Sequence, residues 1–450
     1  MASLLKYIET KAEGKGADDY ARIPVPEDKK RGWMSSAIIY IGCAISLSAF
    51  LLGGTLASGL TLTQAIIAVF LGTLLLAAMA CICAEVAMYT GLSTPMIGKF
   101  TFGQKGAAIC GLLYAMCGWG WFGVQVGLFG DTIGQMYYLI TGNTMSEIGV
   151  KVVILLGGIL MTSTAIIGFK SIEKLSWISI PLIGVLMIAS LVVVLRGHTY
   201  GDLNTTFITS PMTLGAGISI TIGSFAAGAV GSPDFLRYGK GFKDTAKAMV
   251  VGLVVGFGAT IVISAFCAKA AGEANIVNIM IGLGWGMLAM LVLVLAQWTS
   301  NDNNVYCGSL GFSVVFEKIP RYKLAALIGL TGTIFAVLGI SNKLIWFFSI
   351  LGIFTPPIGG CYVADFYLCK RYYNFENLKN VPAIRKETMF AYFLASGFGF
   401  LTTAPPTGFG LFDVTTIPAL DTFIAAFILQ LILVKLLNKD FCKGPEYINK

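Results

Sequence analysis

The run Gln297-Trp-Thr-Ser-Asn-Asp-Asn-Asn304 is the most polar stretch inside any hydrophobic segment of this 450-residue chain. Thr299 and Ser300 carry hydroxyl oxygens. Hard cations such as Na⁺ take several oxygen ligands of this kind, by analogy with Ca²⁺ and Mg²⁺ sites. A loosened helix nearby would add free backbone carbonyls. The competing reading has both hydroxyls bonded back to their own helix. Asp302, beside them, has three roles open to it: internal pairing, indirect cation binding, or proton carriage. A second constellation is Trp121 with Gln125. Four apart, they share one helix face, one turn from each other. An aromatic surface beside a carboxamide suits a flat heteroaromatic ligand: the ring stacks, for roughly 0.5–1.5 kcal/mol beyond burial, and the amide offers a donor and an acceptor. Phe225 is a candidate for the opposite wall; plain packing of these aromatics in a bundle is the alternative.

The elements that hold these residues are membrane helices. The chain is 56% hydrophobic and 12% charged, with a mean hydropathy of +0.79, whereas a soluble domain carries about 25% charged residues. Apolar stretches recur from Ser35 to Leu437 near the length of about 20 residues that crosses the hydrocarbon layer as a helix. Helices are the expected form because every backbone amide in lipid needs an internal partner. Twelve spans are expected, at 35–60, 64–89, 106–139, 150–168, 175–195, 211–233, 246–270, 282–311, 324–341, 344–368, 389–405 and 416–437. With an even number of spans and the amino terminus inside, 27 of the 31 basic residues fall on the cytoplasmic side, the positive-inside distribution. Only Lys151, Arg196, Lys269 and Lys343 fall outside. The expected protein is thus an all-α, multi-pass protein of the cell membrane with both termini cytoplasmic. Membrane insertion accounts for the net charge of +8, so no nucleic-acid partner is expected. Residues 1–30 lack the apolar core of a cleavable signal peptide.

Two segments depart from ordinary membrane helices. In span one, Ser46-Leu-Ser48-Ala49-Phe50 is followed by Gly53-Gly54; in span six, Gly223-Ser224-Phe225 leads through Gly228 and Gly231 to Pro233. Glycine weakens helices and serine bonds the backbone locally, so either segment can unwind; close helix packing through small residues is the alternative. Ile45–Gly53 and Ile220–Gly228 share Ile, Phe and Gly at matching offsets, with Phe50 and Phe225 lying 175 positions apart. Trp121 and Trp298 lie 177 apart. This interval maps spans one to five onto six to ten, and because five is odd the second set is inverted. The organisation read from it is a tail over 1–34, halves over 35–200 and 201–370, two further helices with their preceding loop over 371–437, and a tail over 438–450. Polar side chains cluster near the middle of spans one, three, six and eight, a depth at which they are usually functional. That points to one central site.

Other features are less directive. Glu85 and Asp131 lie toward span ends, as interfacial or helix-pairing groups. Pro356-Pro357 with Gly359-Gly360 breaks span ten, as a packed kink or as a gate. The single histidine, His198, falls in an external loop. Eight of the ten cysteines are scattered through the spans, while Cys369 and Cys442 sit at cytoplasmic ends, where thiols stay reduced. No acid–base or metal set for an enzyme converges.

At these residues the sequence resembles the nucleobase–cation symporter family, most of all its cytosine permease branch. The resemblance runs in order through Gly53-Gly54-Thr55, Thr90-Gly-Leu-Ser-Thr94, Gly120-Trp-Phe-Gly123, Gly223-Ser-Phe225, Asp234-Phe235 with Arg237, Trp298-Thr-Ser-Asn-Asp-Asn303, and Pro356-Pro-Ile-Gly-Gly360 with Ala364-Asp365. It implies a five-plus-five inverted repeat with discontinuous helices one and six, two trailing helices, and alternating access. It implies a planar base stacked on Trp121 beside Gln125, met by Ser224, Phe225 and Gly228 from an unwound part of span six, and bonded by Asn301. It implies a Na⁺ site from the Thr299 and Ser300 hydroxyls with the backbone carbonyls of Ala296, Ser46 and Ala49. The expectation is a symporter, not an enzyme, that imports cytosine or a close relative on a Na⁺ gradient, without a cofactor, as a monomer in lipid. The alternative is proton- or Na⁺-coupled uptake of a hydantoin, purine or other planar heterocycle, with Asp302 as a proton carrier. One departure bears on that choice. Where the cytosine branch has a glutamine three residues before the tryptophan, this chain has Gly118. Its glutamine is Gln125, one turn after the tryptophan, resembling the hydantoin-transporting branch.

Overall fold

A break in the first hydrophobic segment organises the site. The computed structural model describes residues 20–437 except positions 168, 283 and 406; positions 1–19 of the expected 1–34 tail and the whole expected tail at 438–450, with Cys442, lie outside the described residues. α1 (Trp33–Ala44) and α2 (Leu47–Gly59) meet at an angle of 64°. Ser46 is extended there, with φ −140° and ψ 170°, and its carbonyl accepts the Ala49 amide at 3.0 Å. The Gly53-Gly54 pair stays helical. A Cβ on Gly53 would lie 2.4 Å from the Ile261 carbonyl oxygen, so these glycines serve close packing and the serines mark the break.

The chain continues through α3 (Leu62–Thr90), opened by a Thr61–Gln64 capping box and closed by left-handed Gly91, as helix-end chemistry requires. α4 (Thr94–Phe102), α5 (Ala108–Thr141), α6 (Glu147–Ile167), α7 (Phe169–Gly197) and α8 (Tyr200–Thr205) complete the first half. α9 (Leu214–Val230) and α10 (Pro233–Leu236) follow, then α11 (Phe242–Met249), a π-helical stretch (Val250–Phe257) and α12 (Gly258–Ala271). α13 (Ile276–Gly282), α14 (Gly286–Val315), α15 (Arg321–Val337), α16 (Leu344–Phe354), α17 (Pro356–Cys369), α18 (Lys386–Thr402) and α19 (Pro418–Leu437) end the described chain.

Regular structure among the described residues is helical, apart from one isolated bridge between Arg31 and Gly239. Six helices are long and apolar enough to cross a membrane, and the bent α1–α2 pair makes a seventh. The other expected spans also fall on helix, in α9, α14, α15, α16–α17 and α18, which are shorter or more polar.

Two expectations change. Span six does not unwind at Ser224 and Phe225: α9 is helical to Val230, and the break falls at Gly231–Ser232. Of the small residues that suggested unwinding, Ala226 and Ala229 are buried and Gly228 and Gly231 lie close to the Phe225 and Tyr114 rings, whereas a Cβ on Gly223 would meet nothing within 4 Å. Eight cysteines are free, whereas Cys369 is disulfide-bonded, against the expectation that it stays reduced.

Packing places α5 against α14 over the largest helix–helix contact. Glycines bring their backbones together: a Cβ on Gly111 would lie 2.6 Å from the Gly311 carbonyl oxygen, and one on Gly118 2.6 Å from Gly308 Cα. α2 packs on α12 much as α9 packs on α3, so the first and sixth spans each lie along the helix pairing with the other's successor. On the side of the chain's start, Arg22 donates to the carbonyls of Ser313 at 3.0 Å and Ile319 at 2.7 Å, capping the C-terminal end of α14.

Candidate functional site

The last turn of a helix leaves carbonyls without intrahelical donors, and the kink after α1 exposes such a group at Cys43. Ser300, on α14, donates its hydroxyl to the Cys43 carbonyl at 3.2 Å. The same Ser300 oxygen accepts a long contact from Gln125 Nε2 on α5, at 3.5 Å. Gln125 is 1% exposed, and its Oε1 has no hydrogen-bond partner among the described residues. Three helices therefore meet at one serine oxygen.

The other proposed cation ligands lie around this point but turn elsewhere. Thr299 donates to its own helix, with Ala296 O at 2.9 Å and Leu295 O at 3.2 Å. Ser46 Oγ pairs with Ser48 Oγ at 2.7 Å, and the Ser46 carbonyl serves the Ala49 amide. Ala49 and Ala296 are buried. The donor set is hydroxyl and carbonyl oxygen, chemistry that fits a hard monovalent cation. No group of three His, Cys, Asp or Glu side chains converges among the described residues.

The aromatic walls stand apart. Trp121 meets Phe347 of α16 edge-on, with centroids 6.0 Å apart, and shares a cluster with Cys117, Leu351 and, from α9, Ala227. Phe225 packs against Tyr40 at 6.2 Å and Phe257 at 5.4 Å. Tyr40 also donates to the Gly228 carbonyl at 2.8 Å. A Cβ on Gly228 would lie 2.6 Å from the Phe225 ring, so glycine there lets the ring fold back along its own helix. Ser224 donates to Thr221 O at 2.8 Å. Gln125 thus meets Ser300 and Trp121, one turn before it on α5, packs toward α16, while Ser224, Phe225 and Gly228 face α1 and their own helix.

Asn301 is fully buried and its polar atoms point to the scaffold. Nδ2 meets Met161 Sδ at 3.2 Å and Phe122 O at 3.5 Å; Oδ1 accepts from Asn304 Nδ2 at 3.2 Å. Asp302 accepts from Thr164 of α6 at 2.7 Å, and Thr164 also takes the Trp298 indole N–H at 2.9 Å. Trp298 is therefore an α14–α6 strut. Gln297 similarly ties α14 to Thr132 of α5 at 3.1 Å.

One participant was missed from sequence. Cys43 enters through its backbone, which carries no sequence signature. Gly118 leaves no room for a side chain, since a Cβ there would also sit 2.6 Å from the Asn304 carbonyl oxygen.

Residues 23–426 match the family described as permeases for cytosine/purines, uracil, thiamine and allantoin. The chain is similar to the cytosine permease of Escherichia coli O157:H7, 29% identical over 357 residues, covering 79% of this chain and 83% of that one. It is also similar to the hydantoin permease of Microbacterium maritypicum, 22% identical over 376 residues and covering 76% and 74% of the two chains. Among solved structures, Mhp1, a nucleobase-cation-symport-1 family transporter in a closed conformation with bromovinylhydantoin bound, superimposes with a TM-score of 0.78. That match has 19% identity and covers 93% of this chain and 95% of Mhp1. The chain belongs to this permease family of nucleobase–cation symporters, whose members are membrane transporters and not enzymes.

Proposed function

We propose, from that family membership, that this chain imports cytosine or a closely related nucleobase by alternating access, driven by a Na⁺ gradient. Transport of nucleobase-like substrates follows from the family. The coupling ion and the substrate within the class are our own reading. The observation that carries it is the Ser300 hydroxyl on the Cys43 carbonyl, with Gln125 in contact. An oxygen set suited to Na⁺ thereby sits one side chain away from a carboxamide and an indole suited to a planar base. Na⁺ would be held by Ser300 and Thr299 with carbonyls of the broken first span, Ser46 and Ala49, and of Ala296. The base would stack on Trp121 and bond Gln125, with Ser224, Phe225, Gly228 and Asn301 turning inward as the site closes. A functional monomer is part of the same proposal.

The wider architecture belongs to the same proposal: twelve spans in the cell membrane, both termini cytoplasmic, ten of the spans forming two inverted halves. The mirrored packing of α2 on α12 and α9 on α3 supports the inversion, because a two-fold axis in the membrane plane exchanges those pairs.

A second reading, uptake of a hydantoin, is favoured by one observation. The glutamine is at position 125, and the Gly118–Gly308 contact excludes one at 118. Uptake of labelled cytosine into membrane vesicles, with unlabelled cytosine, hypoxanthine and hydantoin as competitors, separates the readings. Cytosine as the strongest competitor supports the first and hydantoin the second; no uptake of labelled cytosine or of labelled hydantoin, with or without a Na⁺ gradient, would sink both.

A further inference from the structure

We propose that the bound cation sets the orientation of the Gln125 amide, and so decides which hydrogen-bonding edge the site offers its substrate. The inference rests on the proposed function above, since it assumes a cation at Ser300 and a planar ligand at Gln125. It goes further in assigning one residue as the link between the two.

The argument follows the protons. Ser300 has one hydroxyl hydrogen, and here it is committed to the Cys43 carbonyl at 3.2 Å. Its oxygen can then only accept from Gln125, so the amide must present Nε2, as it does at 3.5 Å. Oε1 is left as a buried acceptor without a partner among the described residues, an arrangement that is unfavourable in a low-dielectric interior. In this state an incoming ligand meets an acceptor.

A cation drawn to the same oxygens reverses this. Ser300 Oγ turns a lone pair to the ion, and once the Cys43 carbonyl beside it at the break is drawn to the same ion, the Ser300 hydrogen leaves Cys43. The acceptor within reach that lacks a hydrogen bond is Gln125 Oε1. A half-turn of the amide brings Oε1 to the Ser300 hydroxyl and points both N–H groups away from it. The ligand now meets donors, which select a carbonyl or ring nitrogen. Cation and ligand each favour the same flipped state, so each tightens the other. The coupling is reciprocal by linkage. One hydrogen bond is worth about 0.5–1.5 kcal/mol, a factor of roughly two- to tenfold in affinity.

The test measures Na⁺ and ligand binding on purified full-length protein, using cytosine and hydantoin as probes and Na⁺-dependent thermal stabilisation as the ion readout. In the wild type, saturating Na⁺ should tighten probe binding by about two- to tenfold. In Gln125→Met, probe affinity should lose its Na⁺ dependence. With no probe present, Na⁺ affinity should fall about two- to tenfold, because the displaced hydroxyl hydrogen has no acceptor. Wild-type Na⁺ affinity in Gln125→Met, or an unchanged Na⁺ effect on the probe, overturns the inference and leaves the transport reading standing. Failure of the wild type to bind either probe at any Na⁺ concentration overturns the substrate reading; the probe-free Na⁺ comparison then still decides whether Gln125 receives the hydroxyl.

Discussion

Ser300 Oγ lies 3.2 Å from the carbonyl oxygen of Cys43, joining the polar centre of α14 to the point where the first span breaks. An α-helix normally satisfies that carbonyl from four residues on, and the kink at Ile45–Ser46 removes the donor. The bond is a local repair that holds the two oxygens together at the break.

Ser300→Ala removes the one side-chain oxygen seen to bridge the two helices. Half-maximal Na⁺ concentration for uptake should rise by an order of magnitude or more, with the protein still folded. Thr299→Ala should have a smaller effect, because Thr299 is bonded within its own helix. A Na⁺ titration of uptake for both variants measures this; equal and unchanged half-maxima would remove the proposed cation site.

Gly118 has no room for a side chain. Even Gly118→Ala places a Cβ 2.6 Å from Gly308 Cα, where both neighbours are backbone and cannot rotate away. The expected loss is about 1–3 kcal/mol, seen as a lower unfolding temperature in detergent, and Gly118→Gln should fail to fold. A stable Gly118→Gln protein would mean that α5 and α14 are not packed as described.

Asp302 separates the coupling readings. Its carboxylate faces Thr164 at 2.7 Å, on the α6 side of α14 and away from Gln125. As a strut it should tolerate Asp302→Asn, which keeps size and hydrogen-bonding capacity, with Na⁺-driven uptake within about threefold of wild type (~0.7 kcal/mol,). Asp302→Leu removes one acceptor of the Thr164 hydroxyl, which keeps the Met161 carbonyl and the Trp298 indole N–H, and should lower stability by about 1 kcal/mol. If Asp302→Asn instead abolishes uptake driven by a pH gradient, Asp302 is the proton carrier of the alternative.

Arg385 and Asp365 form an ion pair of 2.6 Å with both side chains fully buried. Arg385 also holds Glu387 at 2.8 Å and the Phe100 carbonyl at 3.0 Å, while Tyr373 and Gln430 donate to Asp365. The cluster pins α17, α18 and α19 to the end of α4. Arg385→Met leaves the carboxylate uncompensated and should cost about 3–5 kcal/mol, measured as thermal unfolding or loss of membrane-inserted protein. A wild-type unfolding temperature would show that the cluster is not a structural anchor.

The membrane class and the helix positions were legible because hydropathy and basic-residue asymmetry record the bilayer directly. The break near Ser46 was legible too, since serines followed by glycines weaken a helix. Span six misled: Gly223, Gly228 and Gly231 are of the type that loosens a helix, but Gly228 gives space to the Phe225 ring, and the break comes later, before Pro233. Period alone placed Trp121 and Gln125 on one face, and the structure brings Ser300 to Gln125. What composition could not show was direction. Asn301 and Asp302 are as polar as Ser300 and adjacent to it, yet the 100° step of a helix turns them toward Met161 and Thr164 of α6. The Cys43 carbonyl has no side-chain signal at all.

The most direct test of Na⁺-driven nucleobase import is accumulation of labelled cytosine in proteoliposomes with an imposed inward Na⁺ gradient, compared with equal Na⁺ on both sides. The account predicts transient accumulation above the external concentration under the gradient, collapse to equilibrium when Na⁺ is equalised, and in Ser300→Ala the same effect only at about tenfold higher Na⁺. Accumulation that is the same with and without the Na⁺ gradient would contradict it.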